Sequence, residues 1–260
     1  MKIRYTESIV LFLDVLGFSN LVYSKDKTKI EDYFSYVQSD FRKYLSERKF
    51  NYIIISDSIV VTTKKTKENL SELIFVIGKI QYQLFLKGIL LRGAISFGKL
   101  YFNKPSNIIV GPGLIKAYKL ESTAKYPRVI IDRQIIPELF DSTLAFVDYL
   151  NRHYNDLYGE KEEKIKFDNT LKDGKPYINF MRKVVRYGST YQLKNIQNII
   201  ALFSSNYFQN EYFEKYNWLL EELKAELSLG IIHYEKHLEF YTSKARLTKI
   251  KFLQAKVETI

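Results

Sequence analysis

Apolar residues follow two rhythms along the first half of the chain. Ile9 to Phe18 (IVLFLDVLGF) and Tyr52 to Thr62 (YIIISDSIVVT) are strand-length runs of Val, Ile, Leu and Phe. The second is split only by Ser56-Asp57-Ser58, which reads as a tight hairpin tip. Ile30, Tyr33, Phe34, Val37, Phe41, Tyr44 and Leu45 recur at three- and four-residue steps and predict an amphipathic helix. Leu70, Leu73, Ile74, Ile77, Ile80 and Leu84 predict another, ended by Gly88. Ile89 to Phe102 returns to the strand rhythm, with Gly93 and Gly98 marking a bend, a bulge or a close backbone approach. A turn at Asn103 to Asn107 leads to a short strand. Gly111-Pro112-Gly113 then opens a helix, which Tyr126-Pro127 stops before the strand Arg128 to Asp132. The order strand, helix, hairpin, helix, hairpin, helix, strand predicts an α+β, ferredoxin-like fold: a mostly antiparallel sheet with helices on one face.

The pattern changes after about Leu150, so the expected organisation is a core over residues 1–150 and a helical extension packed on it over 151–260. Arg152 to Lys175 is charged, with a turn at Asp173-Gly174, and reads as a helix end and surface loop. From Ile178 the rhythm is helical, with Tyr212, Phe213, Tyr216, Leu219, Leu220, Leu223 and Leu227 on one face. A basic last helix carries Lys244, Arg246, Lys249, Lys251 and Lys256.

Composition narrows the function classes. With 260 residues, 46% of them apolar, the chain can bury a full core. The absence of cysteine excludes disulfides, thiolate zinc sites and cysteine nucleophiles, and is compatible with a reducing cytoplasm. No apolar run is long enough to span a membrane. Lys2 and Arg4 before an apolar run imitate a signal peptide, but Asp14 breaks the run and no small-residue cleavage site follows. The expected location is cytoplasmic, away from membranes. A formal charge of +11, from 40 Lys and Arg against 29 Asp and Glu, favours an anionic partner. The lysines are dispersed, however, and a solvated surface accounts for most of them.

Candidate chemistry begins with Asp14 and Asp57. Each is a carboxylate at the end of an apolar strand, costly to desolvate unless its charge is compensated. Two such groups on neighbouring strand ends suit a two-metal phosphoryl-transfer site, whereas singly each would be an ordinary cap or turn residue. Gly17 and Phe18, after Asp14, place backbone N–H groups at the next helix start, a cradle for phosphate. Arg92, inside the apolar strand LLRGAI, needs an anion, either substrate or a structural glutamate. Gly111-Pro112-Gly113 lacks the third glycine of a dinucleotide loop, because Lys116 stands there. Lys116 and Lys119 lie on one side of the following helix, which Lys125 ends, either reaching phosphate or merely solvated. His233 and His237 are four apart, but HYEKH is not the zincin pattern, and both read as surface histidines.

Taken together, FLDVLGF, ISDSIVV, RGAISFG and GPGLIKAYKLE resemble the class III nucleotidyl cyclase catalytic domain, most closely the pyrimidine cyclases of bacterial Pycsar anti-phage systems. The segments stand in the family's order over about Ile9 to Asp132. The resemblance implies cyclisation of a nucleoside triphosphate, UTP favoured and CTP the alternative, by attack of the ribose 3′ hydroxyl on the α-phosphate. It implies two ions per site, Mn²⁺ or Mg²⁺, held by Asp14, Asp57 and the backbone carbonyl of Val15. It further implies substrate contacts from Gly17, Phe18, Lys116 and Arg92, and a head-to-tail homodimer with its sites at the interface. Purine cyclases carry an asparagine and an arginine on the dimer helix, where this chain has Ile115 and Lys119, so Lys119 becomes the candidate for transition-state stabilisation. They also read the base with a lysine where this chain has Tyr52 and Ile53. The resemblance makes Tyr52 the base contact, although strand alternation places it nominally on the face opposite Asp57. Two rivals remain: a catalytically silent nucleotide-binding homologue and a nucleic-acid-binding or polymerase-like palm. No aromatic RNA-binding signature supports the latter, so nucleic acid is not an expected partner.

Overall fold

The computed structural model describes residues 3–23, 25, 27–41, 43, 45, 49–152, 165–167, 174–182, 197, 198, 200, 201, 203, 204, 213–239 and 241–260. The chain forms two compact units, one of residues 1–81 and 89–179, the other of residues 82–88 and 180–260.

The first unit is built on β1 (Thr6–Val15), β2 (Asn51–Ile55), β3 (Ser58–Lys64) and β4 (Leu91–Asn103). Between them lie α1 (Phe18–Tyr23), α2 (Thr28–Tyr36) and α3 (Lys67–Leu86). The strands lie in the order β2-β3-β1-β4, each neighbour antiparallel. Strand order and helical crossovers make this the split arrangement of a ferredoxin-like fold, as the sequence pattern predicts. The sheet continues through β6 (Val129–Ile131), parallel to β4, then β8 (Pro176–Ile178) and β7 (Ile165–Phe167), both antiparallel additions. β5 (Ile108–Val110) folds back on β4 as a hairpin.

β1 is central, and its two faces differ. Ile9, Leu11, Leu13 and Val15 are buried to 2% exposure or less. They share a parity, and each fully buried Leu or Ile contributes about 1.5–3 kcal/mol. On the other parity, Val10 is covered while Phe12 and Asp14 are only half-buried. β1 therefore reads as a near-continuous apolar run until Asp14, where its second face opens to solvent.

That second face is bordered by α4 (Pro112–Ser122). Val10, Val60, Leu100 and Ala117 form its apolar seam, with Phe12, Phe102, Ile109 and Leu114 against them. Two glycines allow the helix to approach so closely. A Cβ on Gly98 would stand 3.0 Å from the Gly113 Cα, and a Cβ on Gly113 3.0 Å from the Gly98 carbonyl oxygen. The glycines of RGAISFG and GPG thus mark a close backbone approach.

Beyond β6 come α5 (Ile135–Leu139) and α6 (Thr143–Arg152). Arg128 is fully buried, donating from Nε to the Ala124 carbonyl at 2.9 Å between the Tyr126 and Tyr177 rings. The second unit contains α7 (Phe213–Lys236) and α8 (Tyr241–Val257), which pack on each other. α7 buries Trp218, Leu219, Leu220, Leu223 and Leu227, and α8 buries Ile250, Leu253 and Val257.

The structure departs from the sequence pattern at several points. The first predicted helix is divided: α1 precedes it, and after Tyr36 it widens into a π-helical turn over Val37–Phe41. β7 and β8 are strands in a stretch expected to hold a loop and then helix; at three residues each, they are too short for an alternating pattern to register. His233, expected at the surface, is buried beside Tyr234, with the His237 ring 4.9 Å away. Tyr44, Tyr212 and most of Arg152–Lys175 lie outside the described residues.

Gly111 supplies a test of the α4 docking. Its φ is 151°, and a Cβ there would overlap the Lys99 carbonyl oxygen. Gly111→Ala should cost at least about 2 kcal/mol, read as a lowered denaturation midpoint in urea.

Candidate active site

Two strands, a hairpin turn and a helix bring charged groups together at one end of the open sheet face. Asp14, next to last in β1, lies directly opposite Arg92 of β4. Asp57 sits in the two-residue turn joining β2 to β3, where Ser56 adopts a left-handed φ of 57°. Glu121 comes from the last turn of α4. The glycine contact sets where α4 starts, and eight residues on its axis carries Glu121 to the level of Arg92.

The Asp14 and Asp57 carboxyl groups lie within hydrogen-bonding reach of each other. Burial first, then the charges of Asp57 and Glu121, push the Asp14 carboxyl up to about 6, and Arg92 opposes the shift only in part. Asp14 thus keeps its proton to higher pH than an ordinary aspartate does. Arg92 is spanned between carboxylates, its Nε donating to the Glu121 side chain and one terminal nitrogen standing 3.5 Å from Asp14 Oδ2. The Glu121 side chain is 5% exposed, so Arg92 has the buried partner that an arginine inside an apolar strand requires.

Beneath the pair lies Tyr33 of α2, fully buried, its hydroxyl donating to the Asp57 backbone carbonyl at 3.5 Å. Burial, with the charges of Asp57 and Asp14 adding to it, holds that phenol firmly protonated and far above its ordinary range. A phenol locked as a donor steadies the turn that carries Asp57.

The donor set fits a small, hard divalent cation. Two neighbouring carboxylates would each be relieved by a cation between them. Among the described residues, no group of three or more His, Cys, Asp and Glu side chains could hold a metal ion. A cation at this pair would therefore complete its shell with main-chain oxygen, water and substrate phosphate, the mode Mg²⁺ favours.

The other expected site residues fall in different places. Gly17 is needed for conformation, with φ 73° and nothing within 4 Å of an added Cβ. Its carbonyl accepts from the Asn20 and Leu21 amides at the start of α1. The Phe18 ring does not line an open pocket but packs into the core against Tyr33 and Phe34. Val15 ends β1 beside Leu91, its side chain in the core. Lys116 stands apart from the carboxylate pair, 2.7 Å from Asp132, 2.9 Å from Gln134 and over the Phe97 ring. Lys119 is exposed and has no ion-pair partner among the described residues. Two residues from Glu121, it sits roughly 200° around the helix and faces away from this cluster.

Tyr52 also needs correction as a base contact. It pairs with Val61, which pairs with Leu11, so its side chain belongs to the face opposite Asp14. The residues of β2 that share the site face are Asn51, Ile53 and Ile55, with Ile53 in register with Val60 and Phe12.

The sequence pattern alone does not mark Glu121 or Tyr33 as site residues. Glu121 had a signal: Leu114, Ala117 and Glu121 recur at helical spacing, placing a charge on an inward stripe. Tyr33 likewise lies on the stripe of its helix, where an aromatic residue reads as core.

No family model matches the chain, and no curated protein matches it. Similar solved structures include the adenylyl cyclase CyaB from P. aeruginosa, at 15% identity and TM-score 0.42, covering 52% of this chain and 81% of that one. An adenylate/guanylate cyclase/hydrolase from Silicibacter pomeroyi follows at 14% and 0.43, covering 52% and 80%. The guanylyl cyclase Cya2 is 11% identical with TM-score 0.44, covering 68% and 92%. The fold of this chain is defined by its own strand order and register.

The Asp14 environment fixes the sign of a pH effect. Its carboxyl is raised from an ordinary value of 3.8 to about 6, so the folded state binds the proton more tightly than the unfolded chain. That stabilisation is fully present below about pH 4 and is lost as pH rises through 6. In metal-free buffer, Asp14→Asn should remove this slope and raise stability at pH 7.5 by about 1–2 kcal/mol, allowing for solvent around a half-buried group. Urea denaturation of both proteins between pH 4 and 8 measures it.

Proposed function

We propose that this protein is a nucleotidyl cyclase that converts UTP to 3′,5′-cyclic UMP and pyrophosphate as an antiviral signal, with CTP and cyclic CMP the nearest alternative. The observation that carries the proposal is the Asp14–Asp57 pair, two neighbouring carboxyls on the open face of a ferredoxin-like sheet. In the reaction the ribose 3′ oxygen forms a bond to the α-phosphorus, its proton leaves, and the bond to the β-phosphate oxygen breaks to release pyrophosphate.

Asp14 and Asp57, with the Val15 carbonyl, would hold two Mn²⁺ or Mg²⁺ ions. When bound, these ions supply Lewis acidity toward the phosphates. The chain itself supplies positioning. Arg92 spans Asp14 and Glu121 and keeps Asp14 oriented, and Tyr33 steadies the Asp57 turn. Gly17 allows the turn that presents backbone N–H groups after β1. Catalysis then depends on alignment and charge neutralisation, without a covalent intermediate.

In this reading the active species is a head-to-tail homodimer. Ile115 and Tyr118 on α4 are 56% and 58% exposed, with Val110 also open, an apolar surface beside the cluster. Lys119, turned away from its own carboxylates, would then reach toward the partner's triphosphate. Ile53 and Ile55 take the place of Tyr52 as the β2 residues toward the Asp57 end of the face where the base would lie. A second reading, a catalytically silent nucleotide binder, is favoured by the ion pairs that already engage Arg92.

Incubating the purified protein with each of the four nucleoside triphosphates and Mn²⁺ decides between them. Cyclic UMP is the expected main product; cyclic AMP as the main product would sink the pyrimidine assignment, and no product from any triphosphate would favour the silent binder. Asp57→Ala should lower turnover at least about a hundredfold without loss of fold by circular dichroism. Ile115→Glu should yield a monomer by sedimentation and lose turnover to a similar degree.

A further inference from the structure

The open sheet face carries a second polar feature at its other end. A cavity of about 450 Å³ lies among Thr6, Ser8, Asn51, Thr62, Lys64 and Leu100, with Phe102, Thr63, Asn69, Glu7 and Lys49 around it. Its lining is set by register. Asn51 pairs with Thr62, which pairs with Val10; Lys64 pairs with Ser8, which pairs with Gly98; and Thr6 pairs with Leu100. Paired residues share a face, so an amide, three hydroxyls and an ammonium converge over an apolar floor of Leu100 and Phe102. Ser8 lies six residues before Asp14 on β1, which separates this cavity from the carboxylate pair by about 20 Å.

Hydroxyls on a sheet face are ordinarily solvated or used up by the fold, and some of these are. Thr6 donates to the Leu100 carbonyl, Ser8 to the Thr6 carbonyl, and Thr63 to the Lys49 carbonyl. Thr62 differs: it is 3% exposed, yet its hydroxyl has no hydrogen bond among the described residues. The hydroxyl oxygen itself is not sealed from solvent: it opens to the cavity and is free to donate to a ligand. Lys64 and Asn51 beside it also have no side-chain partner among the described residues. The remaining charges cancel, with Lys49 2.5 Å from Glu72 and Glu7 3.9 Å from Lys65, so Lys64 is the uncompensated charge of the lining.

We propose that this cavity is a second ligand site, taking a small phosphorylated polyol on the open sheet face remote from the carboxylate pair. The Lys64 ammonium, the Thr62 hydroxyl and the Asn51 amide are three unpaired donors on adjacent positions of one face. A phosphate monoester presents three terminal oxygens, whereas a carboxylate presents two in a plane and leaves a donor unmatched. The Thr6 and Ser8 hydroxyls retain acceptor capacity for the ligand's own hydroxyls, and Leu100 and Phe102 meet its carbon skeleton. The volume falls within the usual range of small-molecule sites.

The site stands or falls independently of the cyclase reading. Ribose 5-phosphate, ribose and inorganic phosphate are titrated separately into the full chain by calorimetry, in chelator-treated buffer. Ribose 5-phosphate should bind, and each component alone should bind at least about tenfold more weakly. Lys64→Ala and Thr62→Val should each weaken ribose 5-phosphate at least about tenfold, and Asp57→Ala should leave its affinity unchanged. The proposal is overturned by absent binding, by inorganic phosphate binding as tightly as the sugar phosphate, by full affinity in either cavity variant, or by loss of affinity in Asp57→Ala.

Discussion

Two carboxyl groups held within reach of one another are the constraint on which the rest of the first unit turns. Like charges about 4 Å apart repel by roughly 4 kcal/mol even in the effective dielectric of a protein surface. Ordinary folding would separate them. Here β1 and the β2–β3 turn hold them together, and the surroundings relieve the strain piecemeal. Asp14 keeps its proton to higher pH than an ordinary aspartate, Arg92 leans toward it, and the Tyr33 hydroxyl donates to the Asp57 backbone carbonyl. None of these removes the repulsion entirely. A divalent cation would do so in one step.

Arg92 does not act alone, and this ties the site to the helix bordering it. Glu121 holds the guanidinium from α4, and α4 lies where it does because Gly98 and Gly113 allow backbone against backbone. The chain of dependence therefore runs from two glycines, through the position of a helix, to a buried ion pair, and so to the charge state of Asp14. Breaking the Arg92–Glu121 pair would leave a buried charge uncompensated, with consequences for both stability and the carboxylate pair.

How far the sequence discloses this depends on the distance over which each feature is encoded. Strands β1 to β4 and helices α3 and α4 are written in local periodicity, and Asp14 and Asp57 stand out as the only charges within their apolar runs. The site face is a matter of register: alternation already turned Tyr52 away from Asp57, and the pairing with Val61 and Leu11 makes that explicit. What stayed hidden is long-range. The Arg92–Glu121 pair joins residues 29 apart, and Lys116 spends its charge on Asp132 instead of the site. The short strands β7 and β8 owe their pairing to the sheet edge they complete, not to a pattern of their own.

The +11 charge takes on a different meaning once lysines are placed one by one. Lys49, Lys65 and Lys116 are neutralised by Glu72, Glu138 and Asp132, each a local pairing that holds the fold at its surface. Lys64 lacks such a partner among the described residues and belongs to the open face, at its cavity end. A dispersed positive charge says little about ligands, because solvent and carboxylates of the same chain answer most of it. A cation left unanswered on a face already rich in donors is the one that phosphate would find.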